Sequence, residues 1–192
     1  RKSFEELKAL KDMGLNMIHS GYETCCDETL KVINKGFTSE QELEAGLKLK
    51  EAGITINLFY MPGNGGKDLT EKNAADSARI MRTINPEYIR IRTFMMKEGS
   101  PLYDMNNKGL FHNCTEEEKA LELRSFVDQL DGCSPYIISD HIINLLPLLQ
   151  GNIDKDKESM LSYINGFLSL PKREQMRFQL ARRMCYNVDY TN

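Results

Sequence analysis

The sequence lacks any run of apolar residues long enough to cross a lipid bilayer, which needs about 20 of them. It also lacks a secretory signal peptide, because no apolar segment follows Arg1-Lys2-Ser3-Phe4. These absences predict a cytoplasmic protein with no membrane partner. There is no initiator methionine, and the first residues look like a helix cap, so we expect a piece cut from a longer protein.

The sequence lacks the cysteine spacing of a metal site. No CxxC motif occurs, and no three cysteines have the close spacing that an iron–sulfur cluster needs, so the sequence predicts no metal site. The total is odd and two cysteines are adjacent, so we expect free thiols in a reducing cytosol. The five cysteines are Cys25, Cys26, Cys114, Cys133 and Cys185.

A strong net charge of either sign is also missing. The net charge of −3 provides no general attraction to nucleic acid or to anionic membranes, so neither is predicted as a partner. A small-molecule substrate of unknown identity is expected instead. The 192 residues, 41% of them hydrophobic, suffice for one globular domain with a core, or for a domain with an appendage.

The chain does contain a regular alternation of helix and strand signals. Strands are predicted at residues 15–20, 54–59 and 88–93, and residues 136–139 form either a fourth strand or an extended segment. Helices fill the intervals, which is typical of βαβ units in a parallel sheet. We expect an α/β fold, either an arc of a (β/α) barrel or a small open sheet. Residues 1–112 would form the βα units and residues 113–192 a helical extension.

Several helix starts carry capping signals. Ser3, Ser39 and Thr115 each precede a glutamate by three residues, which predicts three capping boxes. Asp27 and Thr70 are predicted caps of two further helices. The exposed edge that a partial barrel would leave predicts self-association.

The stretch Ile54–Asp68 predicts a buried strand that ends in a glycine-rich turn. Pro62, Gly63, Gly65 and Gly66 favour backbone conformations that other residues resist. Such a turn places backbone N–H groups at the carboxyl end of the strand, where α/β proteins bind ligands. An anion cradle is one interpretation, although the phosphate-binding GK[ST] motif is absent.

The strand at residues 88–93, YIRIRT, has strictly alternating faces. Ile89 and Ile91 are expected to face the outer helices, which leaves Arg90 and Arg92 on the barrel interior. A buried guanidinium needs an anionic partner, so this pattern favours a functional site. The alternative is an edge strand whose arginines face water.

Polar residues also gather at the end of the first predicted strand: His19, Ser20 and Glu23. Polar side chains at strand ends are typical of barrel active sites. The alternatives are a solvated turn carboxylate for Glu23 and a hydrogen-bonded core histidine for His19. Asp140 is predicted to cap an apolar helix that follows it.

A set of motifs in fixed order resembles the radical SAM family. They are GYETCCDETL at 21–30, NKG at 34–36, KEAGI at 50–54, INLFYMPG at 56–63, NPEYI at 85–89 and GSPLY at 99–103. The resemblance covers roughly the first 110 residues. Residues 139–146, SDHIINLL, resemble a C-terminal segment of radical SAM proteins similar to oxygen-independent coproporphyrinogen oxidase.

The resemblance implies a partial (β/α) barrel whose carboxyl face binds S-adenosylmethionine and a [4Fe-4S] cluster. In that family, reductive cleavage of S-adenosylmethionine yields a 5′-deoxyadenosyl radical that abstracts hydrogen from the substrate. By position, Ser20 and Glu23 match residues that meet the methionyl or ribose part of the cofactor. Residues 58–63, including Leu58, Pro62 and Gly63, match the strand beside adenine. Arg90 and Arg92 match a strand that supplies adenine contacts and substrate-facing side chains.

Two departures from the family pattern limit this hypothesis. The cluster-binding CxxxCxxC motif is absent and belongs on an earlier loop, so the fragment alone should be inactive, and no catalytic residue is predicted in it. Tyr60 and Asn64 stand where the family has glycine and an acid, and Tyr60 is expected to block or reshape the adenine side.

The sequence therefore predicts the C-terminal part of a radical SAM oxidoreductase. One alternative is a non-catalytic protein-interaction module, which solvent-facing Arg90 and Arg92 would favour. Another is a barrel enzyme that binds a phosphorylated ligand at Gly63 to Gly66.

Overall fold

A computed structural model describes residues 2–184, 186 and 188–191, so the free thiol predicted for Cys185 lies outside the described residues. The strands are β1 (Met17–Glu23), β2 (Thr55–Tyr60), β3 (Tyr88–Ile91), β4 (Tyr136–Ile138) and β5 (Gly151–Asn152). They form a five-stranded sheet in the order β1-β2-β3-β4-β5. The first four strands are parallel, and β5 runs antiparallel to β4. This arrangement confirms the predicted α/β class.

Helices connect the parallel strands and close the chain. The helices are α1 (Phe4–Asp12), α2 (Asp27–Val32), α3 (Ser39–Glu51), α4 (Thr70–Ile84), α5 (Pro101–Asn107), α6 (Glu116–Asp128), α7 (Ile153–Ser169) and α8 (Lys172–Arg183). Two of them begin at predicted capping boxes: Ser3 with Glu6 caps α1, and Thr115 with Glu118 caps α6. A short 3-10 turn, Lys67–Leu69, precedes α4.

Three predicted caps are wrong. The capping box of α3 is formed by Thr38 and Gln41, one residue earlier than predicted, because the Glu42 side chain is buried instead of reaching back to the cap. Asp27 is the first residue of α2, and its carboxylate accepts a 2.8 Å hydrogen bond from the Ser39 backbone N–H. Thr70 is the first residue of α4, which starts directly from the 3-10 turn.

The two faces of the sheet have different compositions. Residues paired between parallel strands project to the same side, so the strand register defines an outer and an inner face. The outer face packs against the helices, and its side chains are fully buried: Ile56, Leu58, Tyr60, Ile89, Ile91 and Ile137. The inner face carries Met17, His19, Thr55, Asn57, Phe59, Tyr88, Arg90, Tyr136 and Ile138.

The segment that follows β4 departs from the predicted helix after Asp140. Residues 141–149 form consecutive turns instead. The buried Asn144 side chain bonds to the backbone of Thr93 and Ile91 at 3.0 Å each, and Arg182 donates to the carbonyls of Ile142 and Asn144. The Arg182 contacts occupy backbone acceptors that a helix would need, and Pro147 removes a donor.

β1 forms one edge of the sheet. The predicted self-association through this edge stays a prediction, as does the division near residue 112. Beyond that position, β4 continues the sheet, and α6 packs against α4. Among the described residues, no helix combines the length and apolar character that a transmembrane span requires.

Candidate functional site

Glu23 ends β1 in a constrained conformation. Its φ of 56° lies in the left-handed region, and the β1–β2 register shifts between Ser20 and Glu23. The carboxylate pairs with Lys35, whose ammonium also donates to the Gly21 carbonyl at 2.7 Å. A Cβ at Gly21 would collide with this carboxylate. Glu23 is therefore a positioned, partly buried group and not a freely solvated turn carboxylate.

Ser20 lies on the opposite face from His19. It lines a largely apolar cavity of about 890 Å³ between α1, β1 and α3, together with Leu7, Tyr22 and Glu42. Glu23 is not among the residues that line this cavity. The structure thus places Ser20 toward the helical layer, and its predicted cofactor contact stays a prediction.

Arg90 and Arg92 have the anionic partner that their pattern required. Asp140 contacts both guanidinium groups, with one oxygen 3.3 Å from Arg90 Nη2 and the other 3.3 Å from Arg92 Nη1. The predicted role of Asp140 as a helix cap is wrong, because no helix follows it. The Arg92 guanidinium also lies 5.3 Å from the Phe59 ring centroid, within the range of a cation–π contact.

The inner face also holds buried polar atoms without partners. The Asn57 side chain is 3% exposed, and its Oδ1 has no hydrogen-bond partner among the described residues. The Nε of Arg90 is likewise occluded and without a partner in that part of the chain. The His19 ring lies 6.4 Å from the Phe59 ring. Buried polar atoms are normally paired, so these two unpaired atoms point to a ligand on this face.

The glycine-rich turn is closed, which contradicts the anion-cradle interpretation. Residues 62–66 are all buried. The Gly63 N–H donates to Glu122 at 3.1 Å, and the Gly66 N–H donates to the Gly63 carbonyl at 3.2 Å. A Cβ at Gly63 would lie 2.8 Å from Lys119, and one at Gly66 would lie 2.8 Å from Phe111. Because Gly63 and Gly66 have no side chains, the side chains of Lys119 and Phe111 can pack against them. The cofactor contacts predicted for Pro62, Gly63 and the fully buried Leu58 stay predictions.

Tyr60 points away from the inner face. Its ring stacks on Phe126 of α6 with centroids 3.9 Å apart, and its hydroxyl donates to Glu122 at 2.9 Å. The side chain is fully buried in the helical layer. The expectation that Tyr60 blocks the adenine side is therefore wrong, because the ring fills space between the sheet and α6.

Glu122 and Asn73 are key residues that the sequence reasoning missed. Glu122 is 1% exposed and accepts from Tyr60, Gly63 and, at 2.6 Å, Asn73 Nδ2. Burial raises the pKa of Glu122 to about 7, against the opposing effect of these donors. One signal was available, since Glu122 lies four residues before Phe126 on the apolar stripe of α6.

The described cysteines do not fit an iron–sulfur cluster. Cys25, Cys26, Cys114 and Cys133 are all buried and free. Burial raises the pKa of each thiol, to about 12 for Cys114 and about 11 for Cys133. Cluster ligands are thiolates, and burial disfavours that charged form at all four cysteines.

Three potential metal ligands lie close together in the described chain: Cys26, Glu28 and Asp76. The Lys72 ammonium lies 3.3 Å from Glu28 and 2.7 Å from Asp76, so a cationic group already neutralises both carboxylates. The trio therefore gives no support to a metal site.

Comparisons with known proteins identify relatives for about two thirds of the chain. It is 26% identical over 127 residues to the tRNA uridine(34) acetyltransferase of Methanocaldococcus jannaschii, covering 66% of this chain and 23% of that protein. It is 24% identical over 141 residues to the heme chaperone HemW of Bacillus subtilis, covering 72% of this chain and 37% of that protein. No family model matches. These matches confirm the resemblance to radical SAM proteins.

A solved structure confirms the fold. The Elp3 structure from Methanocaldococcus infernus, with residues 1–46 deleted, superposes with a TM-score of 0.53 at 24% identity. The match covers 65% of this chain and 29% of that one. The fold is accordingly an arc of a partial (β/α) barrel followed by C-terminal helices. The chain spans only about a quarter of the length of the archaeal acetyltransferases that it matches.

Proposed function

We propose that this chain supplies the later strands of a radical SAM barrel within a longer oxidoreductase. When bound, S-adenosylmethionine and a [4Fe-4S] cluster would supply a 5′-deoxyadenosyl radical for hydrogen abstraction from a small-molecule substrate. The observation that carries the proposal is the placement of the family's motifs along one sheet. Glu23 ends β1, Pro62 and Gly63 follow β2, and the arginines lie on or just after β3.

The inner face supports the proposed binding of S-adenosylmethionine. Asn57 Oδ1 is a buried acceptor without a partner in the described chain, which suits an N–H donor on a ligand. Glu23 supplies a carboxylate that Lys35 holds at the carboxyl end of β1. In the proposal, Glu23 orients the methionyl or ribose part of the cofactor, and Asn57 with Phe59 forms part of the wall beside it.

The proposal requires three cluster-binding cysteines outside this sequence, because the described ones do not fit. The tRNA substrate named for the archaeal relatives is not carried over to this chain. A net charge of −3 provides no general attraction to RNA. The interaction-module alternative expected Arg90 and Arg92 to face solvent. Their side chains are only 26% and 23% exposed and pair with Asp140, so this observation does not favour it.

Cofactor binding can be tested on the 192-residue chain itself. We expect millimolar binding of S-adenosylmethionine by ligand-observed NMR, and Glu23→Gln should weaken it about tenfold, because a charge-assisted contact is lost. Glu44→Gln is the matched control, since Glu44 is an exposed helix residue paired with Lys48. Equal affinities for the two variants, both folded by circular dichroism, would count against the assignment of Glu23.

A further inference from the structure

The inner face carries more positive than negative charge. Arg90 lies on the inner face of β3, and Arg92 follows directly after that strand. The inner-face positions of β1 to β4 given above include no aspartate or glutamate. Asp140 is the counter-ion of both arginines. Two guanidinium groups thus share one carboxylate. Burial lowers the pKa of His141, and the nearby Arg92 charge lowers it further, as expected where positive charge predominates.

The counter-ion is held weakly. Asp140 lies in the irregular segment after β4, its side chain is 50% exposed, and each of its oxygens makes a 3.3 Å contact to one arginine. Strong arginine–carboxylate pairs are bidentate and shorter, about 2.7–2.9 Å. A ligand anion can therefore replace or join Asp140 without opening a tight ion pair.

The arginines themselves are well positioned. The Arg92 guanidinium is held near the Phe59 ring, and its Nη1 also contacts the Ile91 carbonyl at 3.4 Å. Arg90 is 26% exposed at its side chain, while its Nε is occluded and has no partner among the described residues. The terminal atoms Arg90 Nη2 and Arg92 Nη1 both face Asp140, so an anion seated there would contact both guanidinium groups.

We propose that the inner face holds the substrate by an anionic group, a carboxylate or a phosphate, seated between Arg90 and Arg92 with Asp140 as the displaceable counter-ion. The substrate assignment rests on the proposed function above, whereas the anion site rests on the geometry alone. Asn57 and Phe59 lie on the same face and would contact the rest of the molecule.

The test uses inorganic phosphate as the probe at constant ionic strength and pH 7, read out by the arginine Nε–H resonances in NMR spectra. The Arg90 Nε–H signal, assigned with Arg90→Lys, should shift saturably. We expect Arg90→Gln and Arg92→Gln each to weaken binding at least about fivefold, and Asp140→Asn to tighten it about threefold to tenfold, because the competing charge is removed. Arg79→Gln is the control, since Arg79 is exposed on α4 and pairs with Asp76.

An unmoved Arg90 signal, or equal phosphate affinity in Asp140→Asn and the unaltered chain, would overturn the anion site. A second titration with S-adenosylmethionine identifies the source of the anion. Simultaneous binding of phosphate and S-adenosylmethionine supports a substrate site. Displacement of phosphate by S-adenosylmethionine overturns the substrate assignment, because the anion would then be the cofactor carboxylate. Phosphate binding without any S-adenosylmethionine binding would count against the cofactor contacts proposed for this chain and leave the anion site standing.

Discussion

Replacing Glu122 with alanine is expected to lower the free energy of unfolding by about 3–5 kcal/mol, the range for breaking a buried charged network. The carboxyl group accepts from the Tyr60 hydroxyl, the Gly63 N–H and the Asn73 amide in a site that water does not reach. Alanine would leave these three donors without an acceptor. Because Gly63 belongs to the closed turn, the turn should loosen as well.

Urea denaturation of the variant and of the unaltered chain measures this loss. Glu117→Ala is the matched control, because Glu117 lies on the same helix but pairs with Lys172 at the surface. Its effect should stay within about 1 kcal/mol, as for other exposed ion pairs. Tyr60→Phe, which removes only one donor, should cost less than Glu122→Ala. If Glu122→Ala were no more destabilising than Glu117→Ala, the network would have no structural importance.

The stability of the fold should also depend strongly on pH, because of the buried carboxyl group of Glu42. This residue is 3% exposed, lies beside the apolar cavity between α1 and α3, and its carboxyl oxygens have no hydrogen-bond partner in the described chain. Burial raises its pKa to about 8, with Cys25 and Lys35 acting in the opposite direction. The folded protein therefore prefers the protonated side chain.

The sign of the pH dependence follows from this preference. Below the ordinary glutamate pKa, both folded and unfolded chains are protonated, and the folded state has its full stability. As the pH rises from about 4.5 to about 8, the unfolded chain ionises first and stability falls. A shift from 4.5 to about 8 corresponds to roughly 5 kcal/mol at about 1.4 kcal/mol per unit. Glu122 adds to the same trend up to about pH 7.

Glu42→Gln should remove the contribution of Glu42 to this trend. At pH 8 the variant should be more stable than the unaltered chain by about 2–4 kcal/mol, because no buried charge has to be formed. At pH 5 the two should differ little. Urea denaturation at pH 5, 6.5 and 8 checks the prediction, with Glu40→Gln on the exposed face of the same helix as the control. A constant difference between Glu42→Gln and the unaltered chain across this range would contradict it.

Local sequence signals predicted much of the fold because they report local physics. The alternation of residues 88–93 places Ile89 and Ile91 against the helices and leaves the arginines on the other face, as the structure shows. The capping boxes at Ser3 and Thr115 depend on side chains three residues apart and are likewise confirmed. Where the signal was ambiguous by one residue, as at Thr38 and Ser39, burial of Glu42 decided the start of α3.

Features that depend on distant contacts were not predictable from local patterns. Asp140 lies 48 residues from Arg92 in the sequence, and only the position of the turn after β4 brings them together. The segment after Asp140 reads as an apolar helix, but Arg182 binds its backbone carbonyls, and the Asn144 side chain ties it to the backbone of Ile91 and Thr93. The place of Glu122 on the apolar stripe of α6 signals burial, but its partners Tyr60 and Gly63 are about 60 residues away in the sequence and are not signalled by it.

The most direct test of the radical SAM assignment is anaerobic reconstitution with iron and sulfide, followed by assay of S-adenosylmethionine cleavage. This chain should be compared with the longer protein that we propose its gene encodes. We predict that the longer protein carries CxxxCxxC, binds a [4Fe-4S] cluster and forms 5′-deoxyadenosine only when a reductant is added. This chain should neither bind a cluster nor form 5′-deoxyadenosine. A stoichiometric cluster on this chain's own cysteines, or a longer protein without the motif and without 5′-deoxyadenosine formation, would contradict the assignment.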